Sequence, residues 1–272
     1  MAKRALLVGI NAYRSVTALR GCVNDTTNLR LILKEQAGFN NDEIRMLVDA
    51  RATKANIEDR LGWLVDGAKP GDLLVLHFSG HGSQVRDRDE EDELADQLDE
   101  ILCPWDMDWD GTYITDDYLT EHLRVPEGVV LEVILDCCNS GDGTSELGFS
   151  QPDAGGHPER QPRFLQPPVD IVARHQGDEL GRRQLFSRRE PSHMALWSAC
   201  ASFQTAADAR FDGIFNGAFS FLLCKHLREA RDRCSRAELL KRVRASLDAQ
   251  GYSQIPELAA PQALASSRAF HL

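Results

Sequence analysis

The chain lacks features that would assign it to several large classes of protein. No apolar run approaches the ~18–20 residues of a membrane-spanning helix, and the first one, Ala5–Ile10, is too short for the apolar part of a signal peptide. Basic residues are in the minority, since 31 Lys and Arg stand against 42 Asp and Glu. The net charge of −11 argues against nucleic-acid binding, which needs a basic face. We therefore expect neither a membrane segment nor a nucleic-acid partner.

Two further absences concern cofactors and cellular compartment. The first apolar run continues as Val8-Gly9-Ile10-Asn11 and has no glycine-rich loop to hold phosphates. A nucleotide-binding protein is therefore disfavoured, and no organic cofactor is expected. The seven cysteines are an odd number and are scattered along the chain, so they do not suggest a disulfide framework. Reduced thiols in the cytoplasm are the better interpretation.

What the chain does contain is an alternation of short apolar runs with segments of helical apolar spacing. The predicted strands are Ala5–Ile10, Ile44–Val48, Leu73–Phe78, Val129–Leu135 and Met194–Ser198. The predicted helices are Asn24–Ala37, Lys54–Ala68, Gly217–Glu229 and Arg236–Ala249. This alternation predicts an α/β fold with a mostly parallel sheet.

A change of composition divides the chain into three portions. Recurrent Gly and Pro break any periodicity over residues 142–192, which predicts a flexible linker. Residues 1–141 are expected to form the large catalytic portion, and residues 193–272 a small portion that completes the same domain. The linker contains two pairs of adjacent arginines, Arg182-Arg183 and Arg188-Arg189.

Two predicted strands end in side chains that can act together. His81 follows Leu73–Phe78, and the thiol pair Cys137-Cys138 follows Val129–Leu135. Cys138 lies 57 positions after His81. The carboxyl ends of parallel strands meet at one edge of a sheet, so an imidazole and a thiol can meet there. A neighbouring imidazole can hold a thiol as the reactive thiolate. The amides of Gly82 and Cys138 are candidates for an oxyanion hole.

Simpler interpretations exist for the same residues. Cys137 and Cys138 could be core thiols, since free cysteine is often only packed. His77 and His81 could suggest a zinc pair, but that spacing needs a helix and Phe78-Ser79-Gly80 does not favour one.

The two strand ends resemble those of the metacaspases and their bacterial relatives, the orthocaspases. The resemblance rests on His77–Gly82 and Asp136–Gly141, and on further segments in family order: Leu7–Tyr13, Gly21–Asp25, Asp116-Asp117, Ser198–Cys200 and Gly217–Phe219. It implies a caspase-like three-layer α/β/α sandwich with about six strands in the central sheet, and a monomer. It also implies that His81 is the general base and Cys138, not Cys137, the nucleophile, and that Ser198 and Ala199 contact the substrate backbone.

Two positions depart from the family pattern. Asn139 stands where the family usually has His, outside the catalytic dyad. Ala201-Ser202-Phe203 replaces a segment that commonly carries a basic and an acidic residue. We expect the first departure to leave activity intact and the second to reshape the subsites beside the specificity pocket.

Carboxylates near the strand ends predict which substrates are selected. Asp136 lies two residues before Cys138, Asp25 follows the first strand, and Ser79 lies between them at the sheet edge. Such a pocket (S1) would accept Arg or Lys at P1, the residue before the cleaved bond, and Arg best through bidentate pairing. The resemblance assigns the same role to these three residues. Taken alone, Asp25 is better interpreted as a helix N-cap, a role for which Asn24 is an equally good candidate.

Acidic residues also suggest a cation site. Asp106–Asp117 has the acidic spacing of an EF-hand loop, but Asp replaces the final Glu and Pro104 stands where a helix should enter. The resemblance implies instead that calcium binds Asp99, Asp116 and Asp117, with Glu146 as a fourth ligand. Calcium would then act as a regulatory ion. A solvated acidic loop is the alternative.

The sequence thus predicts a cysteine endopeptidase that cuts protein substrates after Arg, or less readily after Lys. The basic linker predicts a low-activity precursor that is cut by itself or by an upstream protease, with an inert insertion as the alternative. The competing function is a catalytically weak caspase-like scaffold that binds protein partners.

Overall fold

A computed structural model of the chain describes residues 1–86, 98–138, 160–173, 193–201, 204–231 and 233–271. The strands in this part are β1 (Lys3–Gly9), β2 (Ile44–Val48), β3 (Leu73–Ser79), β4 (Gly82–Arg86), β5 (Leu98–Leu102), β6 (Ile114–Thr115), β7 (Val130–Asp136), β8 (Gln161–Pro162), β9 (Met194–Ser198), β10 (Ala207–Phe211), β11 (Ile214–Gly217) and β12 (Glu257–Ala259). The helices are α1 (Cys22–Glu35), α2 (Lys54–Val65), α3 (Asp116–His122), α4 (Val169–Ala173), α5 (Ala218–Ala230), α6 (Arg236–Ala249) and α7 (Gln262–Ala265).

A six-stranded sheet forms the centre, in the order β12-β9-β7-β3-β1-β2. All neighbours in it are parallel except the edge pair β12 and β9. The inner strands are apolar on both faces, as expected where helices cover both sides of a sheet. The predicted mostly parallel sheet of about six strands is confirmed.

The two faces of the sheet support separate cores because successive strand residues point to opposite sides. Ala5 and Leu7 of β1 pack in a cluster with α1, α5 and α6. Leu6 and Val8 pack in a second cluster with α2 and α3. Each fully buried Leu contributes about 1.5–3 kcal/mol relative to an exposed one. The three-layer α/β/α arrangement predicted from the sequence is therefore confirmed.

Two small sheets, β4-β5-β6 and β11-β10-β8, lie outside the central one. β4 begins immediately after His81, so the first of them starts at the carboxyl end of β3. β8 and α4 belong to the segment that the sequence predicts to be a flexible linker, and here the structure differs, because β8 pairs with β10. In the described ranges no helix is long and apolar enough to cross a membrane.

Candidate active site

Two neighbouring strands bring His81 and Cys138 to the same crevice. β3 and β7 run parallel, with Ser79 opposite Asp136 in the register. The amide of Gly80 donates to the carbonyl of Asp136 over 3.3 Å, which continues the pairing one residue beyond the strands. Because both strands end at one edge, the residues that follow them leave the sheet side by side.

His81 is held as a neutral imidazole with one basic nitrogen available. Its Nε2 lies 2.8 Å from the carbonyl of Thr17, which can only accept, so Nε2 carries the proton. Nδ1 is buried and has no hydrogen-bond partner among the described residues. Burial lowers the pKa of His81, which favours the neutral ring. Tyr13 fixes the backbone, since its hydroxyl oxygen accepts from the His81 amide at 2.7 Å.

The thiol of Cys138 is fully buried and is held by the backbone of Ala206. The Ala206 amide donates to Sγ at 2.5 Å, and the thiol donates to the Ala206 carbonyl at 3.4 Å. Within the described part of the chain, no hydrogen bond links Cys138 to His81. The structure thus brings both predicted dyad residues to one crevice but leaves the thiol bonded to Ala206.

Below the crevice, buried carboxylates surround a guanidinium group from the predicted linker. Nη2 of Arg163 lies 2.7 Å from Asp25 Oδ2 and 3.0 Å from Asp208 Oδ1. Nη1 lies 2.8 Å from Ser79 Oγ and 3.1 Å from Asp136 Oδ1. The Ser79 hydroxyl in turn donates to Asp25. The structure therefore groups all three residues predicted for S1, and adds Asp208.

The charges in this pocket favour a cation. Three carboxylates face one guanidinium, so the pocket keeps an excess of negative charge. Burial raises the pKa of Asp25 to about 7, although the charge of Arg163 works in the opposite direction. Burial also disfavours the charge of Arg163, yet the surrounding carboxylates hold its pKa well above its ordinary value. Removing one partner from such a buried pair costs about 3–5 kcal/mol.

The N-terminus of α5 forms one wall of the pocket. The Gly217 amide donates to both carboxylate oxygens of Asp25 at 3.0 Å, and the Ser220 amide donates to Asp136 Oδ2 at 3.0 Å. The partial positive charge of a helix N-terminus stabilises these carboxylates. A Cβ on Gly217 would lie 2.2 Å from Asp136 Oδ2 and 2.6 Å from Arg163 Nη1. The close approach therefore requires glycine at this position.

Residues 160–165, which we call the groove segment, lie beside the dyad as an extended chain. Its residues 161 and 162 form β8 and pair with β10. The Arg163 amide donates to the Ala206 carbonyl at 3.0 Å, and the Gly82 amide donates to the Arg163 carbonyl at 3.0 Å. The Leu165 amide then donates back to the Gly82 carbonyl at 2.9 Å. The Gly82 amide, predicted for the oxyanion hole, thus donates to the backbone carbonyl of Arg163, the residue whose side chain is buried among the carboxylates.

The residues that contact the groove segment differ from those that the sequence predicts to contact substrate. Ser198 and Ala199, predicted to contact substrate backbone, are bonded within the sheet: Ser198 pairs with β7 and β12, and the Ala199 amide donates to Leu135. The groove segment instead pairs with residues 206–208. The residues that sequence reasoning missed are Thr17, Arg163, Ala206 and Asp208.

Three of the four predicted calcium ligands lie in the described part of the chain, on β5 and at the start of α3. Asp99 lies in β5 and is buried, and Asp116 and Asp117 begin α3 directly after β6, which pairs with β5. Glu146 lies outside the described residues. Among the residues that are described, no group of three His, Cys, Asp or Glu side chains could hold a metal ion. The EF-hand interpretation is excluded, because the strand β5 precedes the acidic loop where a helix would be required.

The central sheet and its two helical layers define the class of protein as caspase-like. Solved structures support the fold. A Geobacter sulfurreducens protein superposes over 100% of this chain and 99% of its own, with a TM-score of 0.70 and 22% identity. Caspase-1 from Spodoptera frugiperda superposes over 99% of this chain and 89% of its own, with a TM-score of 0.57 and 15% identity.

Sequence comparisons identify the family within this class. The family model described as "Metacaspase, peptidase C14 domain" matches residues 3–145. Metacaspase-1B of Aspergillus fumigatus is 32% identical over 286 residues, which cover 94% of this chain and 69% of that protein. Metacaspase-1 of Cryptococcus neoformans is 31% identical over 294 residues, covering 95% and 62%. The chain belongs to the metacaspase family, as the resemblance predicted.

Proposed function

We propose that this metacaspase is a cysteine endopeptidase that cleaves protein chains after Arg and, less readily, after Lys. The observation that supports the proposal is the Arg163 side chain in the carboxylate pocket, with its carbonyl on the Gly82 amide. Arg can use both Nη groups toward different acceptors there, whereas Lys offers a single ammonium. An acidic P1 side chain would add charge to a pocket that already has an excess of carboxylates.

In the proposed acylation step, the Cys138 thiol leaves Ala206 and transfers its proton to Nδ1 of His81. The sulfur bonds to the carbonyl carbon of the P1 residue, and the Gly82 amide donates to the developing oxyanion. The bond from this carbon to the leaving nitrogen then breaks, and His81 returns the proton to the amine. The product is an acyl-enzyme that carries the N-terminal part of the substrate.

In the proposed deacylation step, water replaces the amine. The oxygen of water bonds to the acyl carbon while His81 accepts a proton from the water, and the bond between the acyl carbon and the Cys138 sulfur breaks. The sulfur takes back the proton and the acid product leaves. Thr17 holds the imidazole in the required tautomer in both steps, because its carbonyl keeps the proton on Nε2.

The P1 preference can be measured with peptides that differ only at P1. We expect Arg to exceed Lys by about tenfold in kcat/KM, because Lys loses one charge-assisted hydrogen bond. Peptides with Asp at P1 should not be cut. The control is Cys138→Ala, which should cut none of them. Equal rates for Arg and Ala peptides would contradict the assignment of S1, and no hydrolysis at all would favour the scaffold function.

We also propose that the chain is made as a precursor of low activity. The groove segment occupies S1 and the Gly82 amide, so an added substrate cannot bind until the segment leaves. Cleavage of the predicted linker would allow it to leave. The paired arginines at 182, 183, 188 and 189 lie outside the described residues, whereas Arg163 already has its carbonyl on Gly82. Arg163–Phe164 is therefore the first bond that we expect to be cut.

Intact-mass analysis tests the precursor proposal. We expect wild type to yield a fragment that ends at Arg163 and Cys138→Ala to stay intact. If Cys138→Ala were cut by a cell extract, an upstream protease would be responsible instead. An uncut wild-type chain with full activity toward added peptides would end the proposal.

Calcium regulation is proposed on the resemblance, and the described residues do not form a complete site for it. Asp99, Asp116 and Asp117 supply carboxylates of the type that calcium prefers. We expect millimolar calcium to raise the rate of peptide hydrolysis and a chelator to remove the increase. Double substitution of Asp116 and Asp117 by Asn should abolish the response. Equal rates with calcium and with chelator would exclude this regulation.

We propose further that the enzyme acts as a monomer in a reducing compartment such as the cytoplasm. No disulfide joins any of the seven cysteines, all of which lie in the described ranges and are buried, and this fits a compartment in which thiols stay reduced.

A further inference from the structure

A second arginine of the groove segment is bound at a distance from S1. The guanidinium carbon of Arg160 lies 3.9 Å from the ring centroid of Tyr252. Its Nη1 donates to the Gly251 carbonyl at 2.9 Å and its Nη2 to the Gln250 carbonyl at 3.0 Å. Stacking on the ring and hydrogen bonds from both Nη groups together hold the planar cation in one orientation.

The end of α6 explains why two carbonyls are available for this cation. The amides of Gln250 and Gly251 bond back to the last turn of the helix, to Leu247 and Asp248. Their own carbonyls lie beyond the helix, so they accept no helical hydrogen bond from an amide four residues further along the chain. Gly251 makes this geometry possible with a φ of +69°. The carbonyls also lie at the negative end of the helix dipole, which favours a cation.

The ring of Tyr252 packs against other aromatic rings. It stacks on Phe211 of β10 with centroids 6.1 Å apart, and Phe211 stacks on Phe221 of α5 at 4.1 Å. β10 is also the strand that pairs with the groove segment. The same element therefore sets both the position of the bound chain and the position of the ring.

The position of Arg160 in the groove segment determines which substrate residue this site would bind. With Arg163 as P1, Arg160 is P4, three residues before the bond to be cut. An extended chain advances about 3.3 Å per residue and alternates its side chains, so P1 and P4 lie on opposite faces about 10 Å apart. Pro162 at P2 donates no hydrogen bond, and the pairing with β10 tolerates it.

We propose that Tyr252, with the carbonyls of Gln250 and Gly251, is an S4 subsite that selects Arg at P4. The inference rests on the proposed peptidase function and narrows its substrates to protein segments with two arginines spaced three apart. Cleavage follows the second arginine. Residues at P2 and P3 contribute less, since Gln161 at P3 makes one exposed hydrogen bond to the Ala18 carbonyl.

Two fluorogenic peptides test the subsite: acetyl-Arg-Gln-Pro-Arg and acetyl-Ala-Gln-Pro-Arg, each joined at its C-terminus to aminomethylcoumarin, which becomes fluorescent on release. They are assayed with the full wild-type chain and with the full chain carrying Arg163→Ala, whose groove segment lacks its P1 side chain. Tyr252→Ala and Tyr252→Phe are then made in the more active of the two. We expect Arg at P4 to raise kcat/KM about tenfold over Ala. Tyr252→Phe should keep this ratio and Tyr252→Ala should reduce it to less than about threefold.

The Ala peptide serves as the internal control for folding. A Tyr252→Ala variant that has lost only the subsite should cut both peptides at similar rates, whereas one that has lost its structure should cut neither. Equal rates for the two peptides, or a ratio that survives Tyr252→Ala, would overturn the subsite while leaving the peptidase proposal intact. Hydrolysis of neither peptide by any form of the chain would overturn both proposals together.

Discussion

Cys138→Ala is expected to lower kcat/KM for Arg peptides by about 10⁴-fold or more, the effect of removing a nucleophile from a dyad. Cys138 is the thiol that follows the end of β7 and contacts Ala206 beside the groove segment. Loss of the sulfur should leave the sheet and the pocket unchanged but remove the atom that forms the proposed acyl-enzyme. Initial rates with an Arg peptide measure the effect directly.

The neighbouring thiol provides the matched control. Cys137 packs in the apolar cluster on the α2 face of the sheet. Burial raises its pKa well above the ordinary value, so it stays protonated and unreactive. Cys137→Ala should therefore keep most of the activity and lose roughly 1 kcal/mol of stability, a typical cost for a small core truncation. Labelling by an arginyl chloromethyl ketone should modify Cys138; modification of Cys137 instead would reverse the assignment.

Local patterns were sufficient to predict five of the six strands of the central sheet, and the three-residue edge strand β12 was not predicted. The strands Ile44–Val48 and Met194–Ser198 and the helix Arg236–Ala249 have the same bounds in the structure. β3 and β7 differ from prediction by one residue at their ends. These elements carry dense apolar runs or apolar residues at helical spacing, so their own sequence specifies them. The small sheets escaped prediction because their strands are as short as two residues and depend on their partners.

The groove segment could not be predicted, and the reason is physical. Its Gly- and Pro-rich surroundings predict a flexible chain, and its strand is two residues long. What orders it is the ion pairing of Arg163 with carboxylates that lie far away in sequence, such as Asp25 and Asp208. A non-local interaction of this kind leaves no periodic signal. Asp208 lacks a signal for the same reason, and Thr17 acts only through its carbonyl, which every residue has.

Gly217→Ala is expected to lower kcat/KM for Arg peptides by about 100-fold, through overpacking of S1 and lost pairing of the P1 guanidinium. The new methyl group would meet the Asp136 carboxylate and the space that Arg163 Nη1 fills. Either the carboxylate moves away from the Ser220 amide or the α5 N-terminus moves away from Asp25. In both cases the pocket becomes shallower where the guanidinium binds, while His81 and Cys138 keep their positions after β3 and β7.

Gly62→Ala separates this effect from the general consequences of replacing glycine. Gly62 lies inside α2 with nothing within 4 Å of an added Cβ. Alanine there should stabilise the helix by roughly 0.5–1 kcal/mol and leave peptide hydrolysis unchanged. Thermal denaturation and P1-Arg kinetics of both variants give two independent readouts. If Gly217→Ala cleaved Arg peptides as fast as Gly62→Ala does, the carboxylate pocket below α5 would not be S1, and the Arg163 contacts would have only a structural role.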